Sequence, residues 1–166
     1  MTTDTLTFRA ADTADIPELC RLRLAYLTED LGEMTPGMRT QISQQLPLYF
    51  AAHLGRDCFV NAAALPDGTL AGNVILCCTE KPANPFFPSG KSGTVLGVYT
   101  VPQYRGCGIA TKLMQMLIAD ARAQQLDRIV LGATKMGRPV YEKLGFVPQH
   151  SAYTDMVLTL HDASSL

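Results

Sequence analysis

The stretch VPQYRGCGIATKLM, Val101–Met114, decides how the rest of the chain is read. It begins as the end of an apolar extended run, TVLGVYTV (Thr94–Val101), and passes through Gly106 and Gly108, which flank Cys107. It then takes up helical spacing, with Ala110, Leu113, Met114, Leu117, Ile118 and Ala121 on one stripe to about Gln125. Two glycines at a strand-to-helix turn are useful where something must approach the backbone closely. The first turn of a helix also carries unpaired N–H groups and a partial positive charge, which together attract anions.

Outward from this turn the elements fall into order. Upstream, TLTFRAA (Thr5–Ala11) alternates and reads as a strand. Asp15 and Glu18 then stand at capping-box spacing around Pro17 and open a first helix. A second helix is expected over Met38–Leu54, interrupted or kinked at Pro47. Pro66-Asp67-Gly68 separates two apolar runs and predicts a β-hairpin. A Pro/Gly loop, Glu80–Gly93, carries Phe86 and Phe87, which serve as core or loop anchors or as walls of a pocket. Downstream, RIVLGA (Arg128–Ala133) reads as a short buried strand, GRPVYEKLGF (Gly137–Phe146) as a helix stopped by Gly145, and TDMVLTL (Thr154–Leu160) as a final strand. The pattern is that of a mixed α/β sheet covered by helices.

Composition narrows the function. The 166 residues favour one domain, 1–166. The 14 basic and 15 acidic residues leave a formal charge of −1, which offers no nucleic-acid surface. Five cysteines without CxxC spacing suggest neither a disulfide framework nor a zinc site, and a reducing cytoplasm fits them. The N-terminus has early acids and no long apolar core, so no signal peptide is expected, and no apolar run reaches membrane-spanning length. His53, His150 and His161 show no metal spacing.

Three glycine-rich readings of the turn compete. A dinucleotide fingerprint needs a glycine where Thr111 stands, and no carboxylate ends the following strand. A phosphate-binding G-x-x-x-x-G-K-[ST] loop would have to begin at Pro85, and no helix follows Gly90-Lys91-Ser92. The third reading takes Gln103-Tyr104-Arg105-Gly106-Cys107-Gly108 as [Q/R]-x-x-G-x-[G/A], with Tyr141-Glu142-Lys143-Leu144-Gly145-Phe146 following after a strand. Together these motifs, over about Val95–Val147, resemble the GNAT superfamily of acetyl-CoA-dependent N-acyltransferases.

The resemblance implies a central mixed, mostly antiparallel sheet with a splayed parallel strand pair, flanked by helices. It implies acetyl-CoA as co-substrate, held at its diphosphate by the turn that comprises Gln103, Arg105, Gly106, Cys107, Gly108, Ile109 and Ala110. Val98 and Thr100 or Val101 would offer backbone hydrogen bonds to the pantetheine arm, Thr134 a polar side chain, and Tyr141 a hydroxyl at the thioester sulfur. The implied reaction is N-acetyl transfer to a primary amine of a small molecule or peptide, attacking directly in a ternary complex. The alternative is a non-catalytic acyl-CoA-binding sensor or interaction module. No metal, nucleic acid or membrane is expected as partner, whereas a second copy of the chain, as a homodimer, is. Arg105 is either a surface residue or an aid to phosphate binding, and Tyr141 either an acid or a packing residue. Many relatives carry a glutamate base on one of the splayed strands, but TVLGVYTV and RIVLGAT contain no carboxylate. Water, a backbone carbonyl, Glu29, Asp30, Glu33 and Tyr99 stay open for that role.

Overall fold

Hydrophobic residues at period two in the strands and near 3.6 in the helices dictate a sheet with helices on both faces. The computed structural model, which describes residues 5–161, has that architecture. Its elements are β1 (Thr7–Ala10), a 3₁₀ turn (Thr13–Asp15), α1 (Ile16–Leu31), α2 (Pro36–His53), β2 (Cys58–Ala64), β3 (Leu70–Glu80), β4 (Lys91–Thr100), a 3₁₀ turn (Pro102–Tyr104), α3 (Ile109–Ala123), β5 (Arg128–Val130) and α4 (Arg138–Lys143). The five strands lie in sequence order, with β1 to β4 antiparallel and β5 parallel to β4.

Alternation along the strands divides the core. Val60, Ala62 and Ala64 of β2 meet Leu19 and Leu22 of α1 and Phe50 of α2 on one face. Ala63, between them, meets the α3 stripe of Ile109, Leu113, Met114 and Leu117 on the other. Asn61 is buried and donates to Asp120 Oδ2 at 2.6 Å, tying α3 to β2.

Two irregularities position the site. The β3–β4 register passes from Ile75–Gly97 to Leu76–Val95, so Leu96 is an extra residue on β4. Bulges of this kind bend a strand and re-aim its groups. The β4–β5 pairing covers only Ser92–Arg128, Gly93–Ile129 and Thr94–Val130. Past Thr94 and Val130 the two parallel strands part, which is the splay the resemblance implied.

Several expectations are corrected. Asp15 makes no capping bond to α1. It accepts two bonds from Arg9, at 2.6 and 2.8 Å, and one from the Asp12 N–H, closing a capping box one turn earlier. Glu18 instead pairs with Arg21 and accepts the Leu70 N–H at 2.9 Å. Helix α2 is not interrupted at Pro47, because Leu46 and Phe50 on either side are buried and tertiary packing outweighs one lost backbone bond. Strand β5 is half-buried rather than buried, since it is the sheet edge. Residues 154–160 form no strand: they lie outside any regular element and are exposed, with no strand of the described chain paired to them.

Candidate functional site

The turn before α3 is built by its own backbone. Val101 leads into the 3₁₀ turn, and the Arg105 N–H donates to Pro102 O at 3.2 Å. Gly106 and Gly108 both have φ of 77°. A Cβ on either would meet no atom within 4 Å, so left-handed backbone, not crowding inside the chain, selects glycine here. Ile109, only 2% exposed, pins the start of α3 to the sheet. Lys112 is the first helical residue with a bonded N–H, to Gly108 O at 3.1 Å. Among the described residues, the N–H groups from Gly106 to Thr111 find no acceptor. Six free donors, an open space above two glycines and the positive end of a four-turn helix form a fitting cradle for a diphosphate. Gln103 and Cys107 sit exposed on this turn, and Ala110 is half-buried beneath it.

The opening between β4 and β5 lies beside that cradle. The Val101 N–H is bonded to Ala71 O on β3 at 2.8 Å. Ladder alternation therefore turns the backbone groups of Val98 and Thr100 the other way, toward the gap. Of the two alternatives past Val98, Thr100 is thus the one that faces the opening, while the Val101 N–H is already satisfied.

Across the gap, Thr134 follows β5 and its Oγ1 accepts the Gly137 N–H at 3.1 Å. Tyr141, on α4, packs edge-on against Phe146 with ring centroids 6.0 Å apart. A Cβ built on Gly137 would lie 3.2 Å from Thr134 Oγ1 and 3.3 Å from Tyr141 Oη, so the two hydroxyls share one neighbourhood. A cavity of 280 Å³ lined by Leu131, Ala133, Tyr141 and Phe146 opens there. Burial, and secondarily Tyr26, raises the Tyr141 phenol above its ordinary pKa, so it carries its proton at neutral pH.

A second cluster, not foreseen as a unit from the sequence, stands at the other side of the opening. Arg105 does not point at the free N–H groups. Its Nη2 pairs with Glu29 Oε2 at 2.8 Å, and its Nε donates to Thr100 O at 2.8 Å. Its guanidinium lies 5.6 Å from the Tyr99 ring centre, and Tyr26 meets Tyr99 edge-on at 6.4 Å. Arg23, one turn before Tyr26, donates to the carbonyl of the bulged Leu96 at 2.7 Å. The Arg105 hydrogen bond holds the Glu29 carboxyl below its usual range. Burial, then Glu29, raises the Tyr99 phenol. Asp30 acts on Tyr26 in the same way, after burial. Of the open base candidates, Glu29, Asp30 and Tyr99 therefore gather here, and Glu33 lies exposed beyond the end of α1. Arg23 and Tyr26 went unremarked in the sequence, although their i, i+3 spacing on α1 could have marked them.

Phe86 and Phe87 stack on Arg128, at 5.8 and 5.0 Å, at the end of β5 opposite the splay. Phe86 also lines the groove beside β5. His53 pairs with Asp57 and stacks on Tyr49. No group of three or more metal-ligating side chains occurs among the described residues, and none of their helices is long and apolar enough to cross a membrane.

Comparison with known proteins gives concordant results. A family model described as the acetyltransferase (GNAT) family matches residues 24–146. A glucosamine 6-phosphate N-acetyltransferase of Trypanosoma brucei brucei is 30% identical over 82 residues, 49% of this chain and 53% of that protein. The matched segment thus spans about half the length of that curated relative. A predicted acetyltransferase from Clostridium acetobutylicum, solved with acetyl-CoA, superposes with a TM-score of 0.78 at 25% identity, covering 94% of this chain and 98% of that one. A GCN5-related N-acetyltransferase from Ralstonia eutropha shares the fold, with a TM-score of 0.74 at 24% identity over 91% and 98% of the two chains.

Proposed function

The chain belongs to the acetyltransferase (GNAT) family, and on that premise we propose that residues 1–166 form one catalytic domain that moves an acetyl group from acetyl-CoA to a primary amine of a small molecule or peptide in a ternary complex. The observation that carries this reading is the run of six free N–H groups at the start of α3, set against the opening between β4 and β5.

When bound, acetyl-CoA supplies an acetyl group activated as a thioester. The N–H groups of Gly106–Thr111 hold its diphosphate, with Gln103 and Cys107 at the rim. Arg105, engaged by Glu29 and Thr100, fixes the end of β4 rather than contacting phosphate. The backbone of Val98 and Thr100 and the hydroxyl of Thr134 line the opening for the pantetheine arm. Donors fixed on a strand cost no reorganisation when negative charge develops on the thioester oxygen.

An incoming amine arrives as an ammonium. Glu29 is ionised and 49% exposed, but its pair with Arg105 leaves little net charge to draw the cation in. Its lowered pKa makes it a weak proton acceptor, so the ammonium proton leaves to solvent at the cleft mouth. The neutral nitrogen attacks, the carbon–sulfur bond breaks, the sulfur takes a proton from Tyr141, the second nitrogen proton leaves to solvent, and the Tyr141 phenolate takes a proton back from solvent. From an ordinary phenol of pKa about 10 to a thiolate whose acid has a pKa near 8.5 the transfer costs about 2 kcal/mol, and the burial that raises the Tyr141 pKa adds to that cost. Burial keeps that phenol protonated until it is needed.

One observation favours a second reading, that of an acyl-CoA sensor: no carboxylate sits on β4 or β5. A thiol-release assay with acetyl-CoA and a panel of amines separates the two. The panel should include glucosamine 6-phosphate, since one relative bears that name. Amine-dependent release of coenzyme A thiol is expected. Acetyl-CoA binding without release for any amine would favour the sensor.

A further inference from the structure

Five cysteines are scattered along the sequence without a motif, and all five are free thiols. The fold brings two of them together. Cys58 opens β2, Cys77 lies toward the end of β3, and the two are direct partners across the antiparallel ladder. The Cys78 N–H donates to Asp57 O at 2.7 Å. That bond joins the residue after Cys77 to the residue before Cys58, so Cys58 and Cys77 form a non-hydrogen-bonded pair. In such a pair the Cα atoms stand about 4.5 Å apart, and both side chains leave the sheet on one face, close together. A disulfide spans Cα separations of roughly 4.4–6.8 Å, so this pair closes without moving the backbone.

The surroundings make the two thiols unequal. Both belong to the core on the α1 and α2 face, where Cys58 is 0% exposed and Cys77 is half-buried. Tyr49 of α2 places its hydroxyl 3.2 Å from Cys77 Sγ. A hydrogen bond from Cys58, and after it one from Tyr49, holds the Cys77 thiol well below its ordinary pKa, against the opposing effect of burial. The Cys58 thiol is pushed up by its bond to Cys77 and by burial. Of the two it is therefore Cys77 that ionises, and Cys77 that solvent reaches. Cys78 is the next residue on β3, but successive side chains on a strand point to opposite faces. It packs with the α3 side of the core, out of reach of Cys77 Sγ, and burial raises its thiol. Neither Cys58 nor Cys77 takes part in the acetyl transfer proposed above.

We propose that Cys58 and Cys77 form a reversible oxidation site whose oxidant is hydrogen peroxide, with Cys77 as the attacking thiol and Cys58 as the resolving one. The Cys77 thiolate attacks one peroxide oxygen and the O–O bond breaks. The hydroxide released takes up a proton and leaves as water, and Cys77 is left as a sulfenic acid. The Cys58 sulfur then attacks Cys77 Sγ. Its proton goes to the departing hydroxyl, a second water leaves, and the S–S bond forms. Two thiols and one peroxide give one disulfide and two waters, and a dithiol reductant reverses the change by exchange. Cys77 is also the ladder partner of Thr94, the last β4 residue paired to β5. The bridge thus fastens β2 to β3 at the level where β4 and β5 begin to part.

Thiol mapping of the full chain tests this. The reduced protein is treated with micromolar hydrogen peroxide at neutral pH and its remaining thiols are blocked with N-ethylmaleimide. Chymotrypsin, which cuts at Phe59 and Leu76, and fragment-ion sequencing then locate any bridge. The intact chain should be lighter by two hydrogens, with one bridge joining Cys58 to Cys77, and dithiothreitol should restore all five thiols. In Cys58→Ala the bridge should be lost and dimedone should trap a sulfenic acid at Cys77. Cys58 is buried, so a melting curve first establishes that this variant is folded. Cys77→Ala, at the half-buried position, is the second variant, and its Cys58 should stay unoxidised. A wild type that keeps both thiols while the exposed Cys107 is oxidised overturns the proposal. So does a bridge between any other two cysteines, or a Cys58–Cys77 bridge that forms only after urea unfolds the chain. Dimedone on Cys58 in Cys77→Ala, with none on Cys77 in Cys58→Ala, overturns the assignment of roles.

Discussion

Gly108→Val puts a side chain where the account has a diphosphate. The structure separates two consequences of that change. At φ of 77° any L-residue is strained, at a cost of about 1–2 kcal/mol. A Cβ at Gly108 meets nothing within 4 Å, so no clash within the chain adds to this. For a chain of this length the melting temperature should fall by roughly 2–8 °C. That strain is present with and without ligand and cancels from the binding equilibrium. Loss of one charge-assisted N–H bond to phosphate is worth about 1.5–3 kcal/mol, so the affinity for coenzyme A should fall about 10- to 150-fold. Gly68→Val is the control. It has φ of 88° and open space around it, but lies in the β2–β3 hairpin. It should melt lower by a similar amount and bind coenzyme A as the wild type does. Calorimetric titration of both folded variants reads the difference. Unchanged affinity in folded Gly108→Val, or equal losses in the two variants, would refute the placement of phosphate on this turn.

Tyr141→Phe keeps the ring against Phe146 and removes the proton; kcat should fall by about 10²–10⁴ with acetyl-CoA affinity and melting temperature unchanged, and full activity would end the acid role. Cys107→Ala should be nearly silent in kcat and in coenzyme A affinity, because the exposed thiol offers only a long contact to Arg105 O at 3.7 Å; a large loss of either would assign it a role. Asp15→Asn should cost about 1–3 kcal/mol at neutral pH, read by denaturant melts, since it weakens two charged hydrogen bonds to a partly exposed Arg9. Arg9 holds the folded-state pKa of Asp15 below its ordinary value, so this stabilisation is present above the unfolded pKa of about 3.9 and is lost as pH falls through the lower folded value. The gap between the two proteins should therefore begin to narrow below about pH 4 and close only below the lower folded value, and a gap that persists in strong acid would place the effect elsewhere.

What could be read from the chain was what is local to it. Gly106, Gly108 and the stripe from Leu113 to Ala121 carry their meaning in their spacing, and they fell where expected. The hairpin at Pro66-Asp67-Gly68 did as well, closed by the Leu65 N–H donating to Thr69 O at 2.8 Å. What could not be read depends on partners distant in sequence. Glu29 and Arg105 are 76 positions apart, and nothing near either one announces their pairing. The extra residue at Leu96 exists only relative to the register of β3. Pro47 was read by its intrinsic cost, but the burial of Leu46 and Phe50 prevailed. Residues 154–160 have the composition of a strand, and composition does not say with what a strand pairs.

The central claim is that the free N–H groups of Gly106–Thr111 hold acetyl-CoA. Amide hydrogen exchange of the purified chain, resolved by residue, with and without saturating acetyl-CoA, addresses those groups themselves. Exchange at 106–111 should be rapid without ligand and markedly protected with it, while the already bonded interior of α3 changes little. Acetyl-CoA binding that leaves 106–111 unprotected, or protection there by NAD or ATP but not by acetyl-CoA, would contradict it.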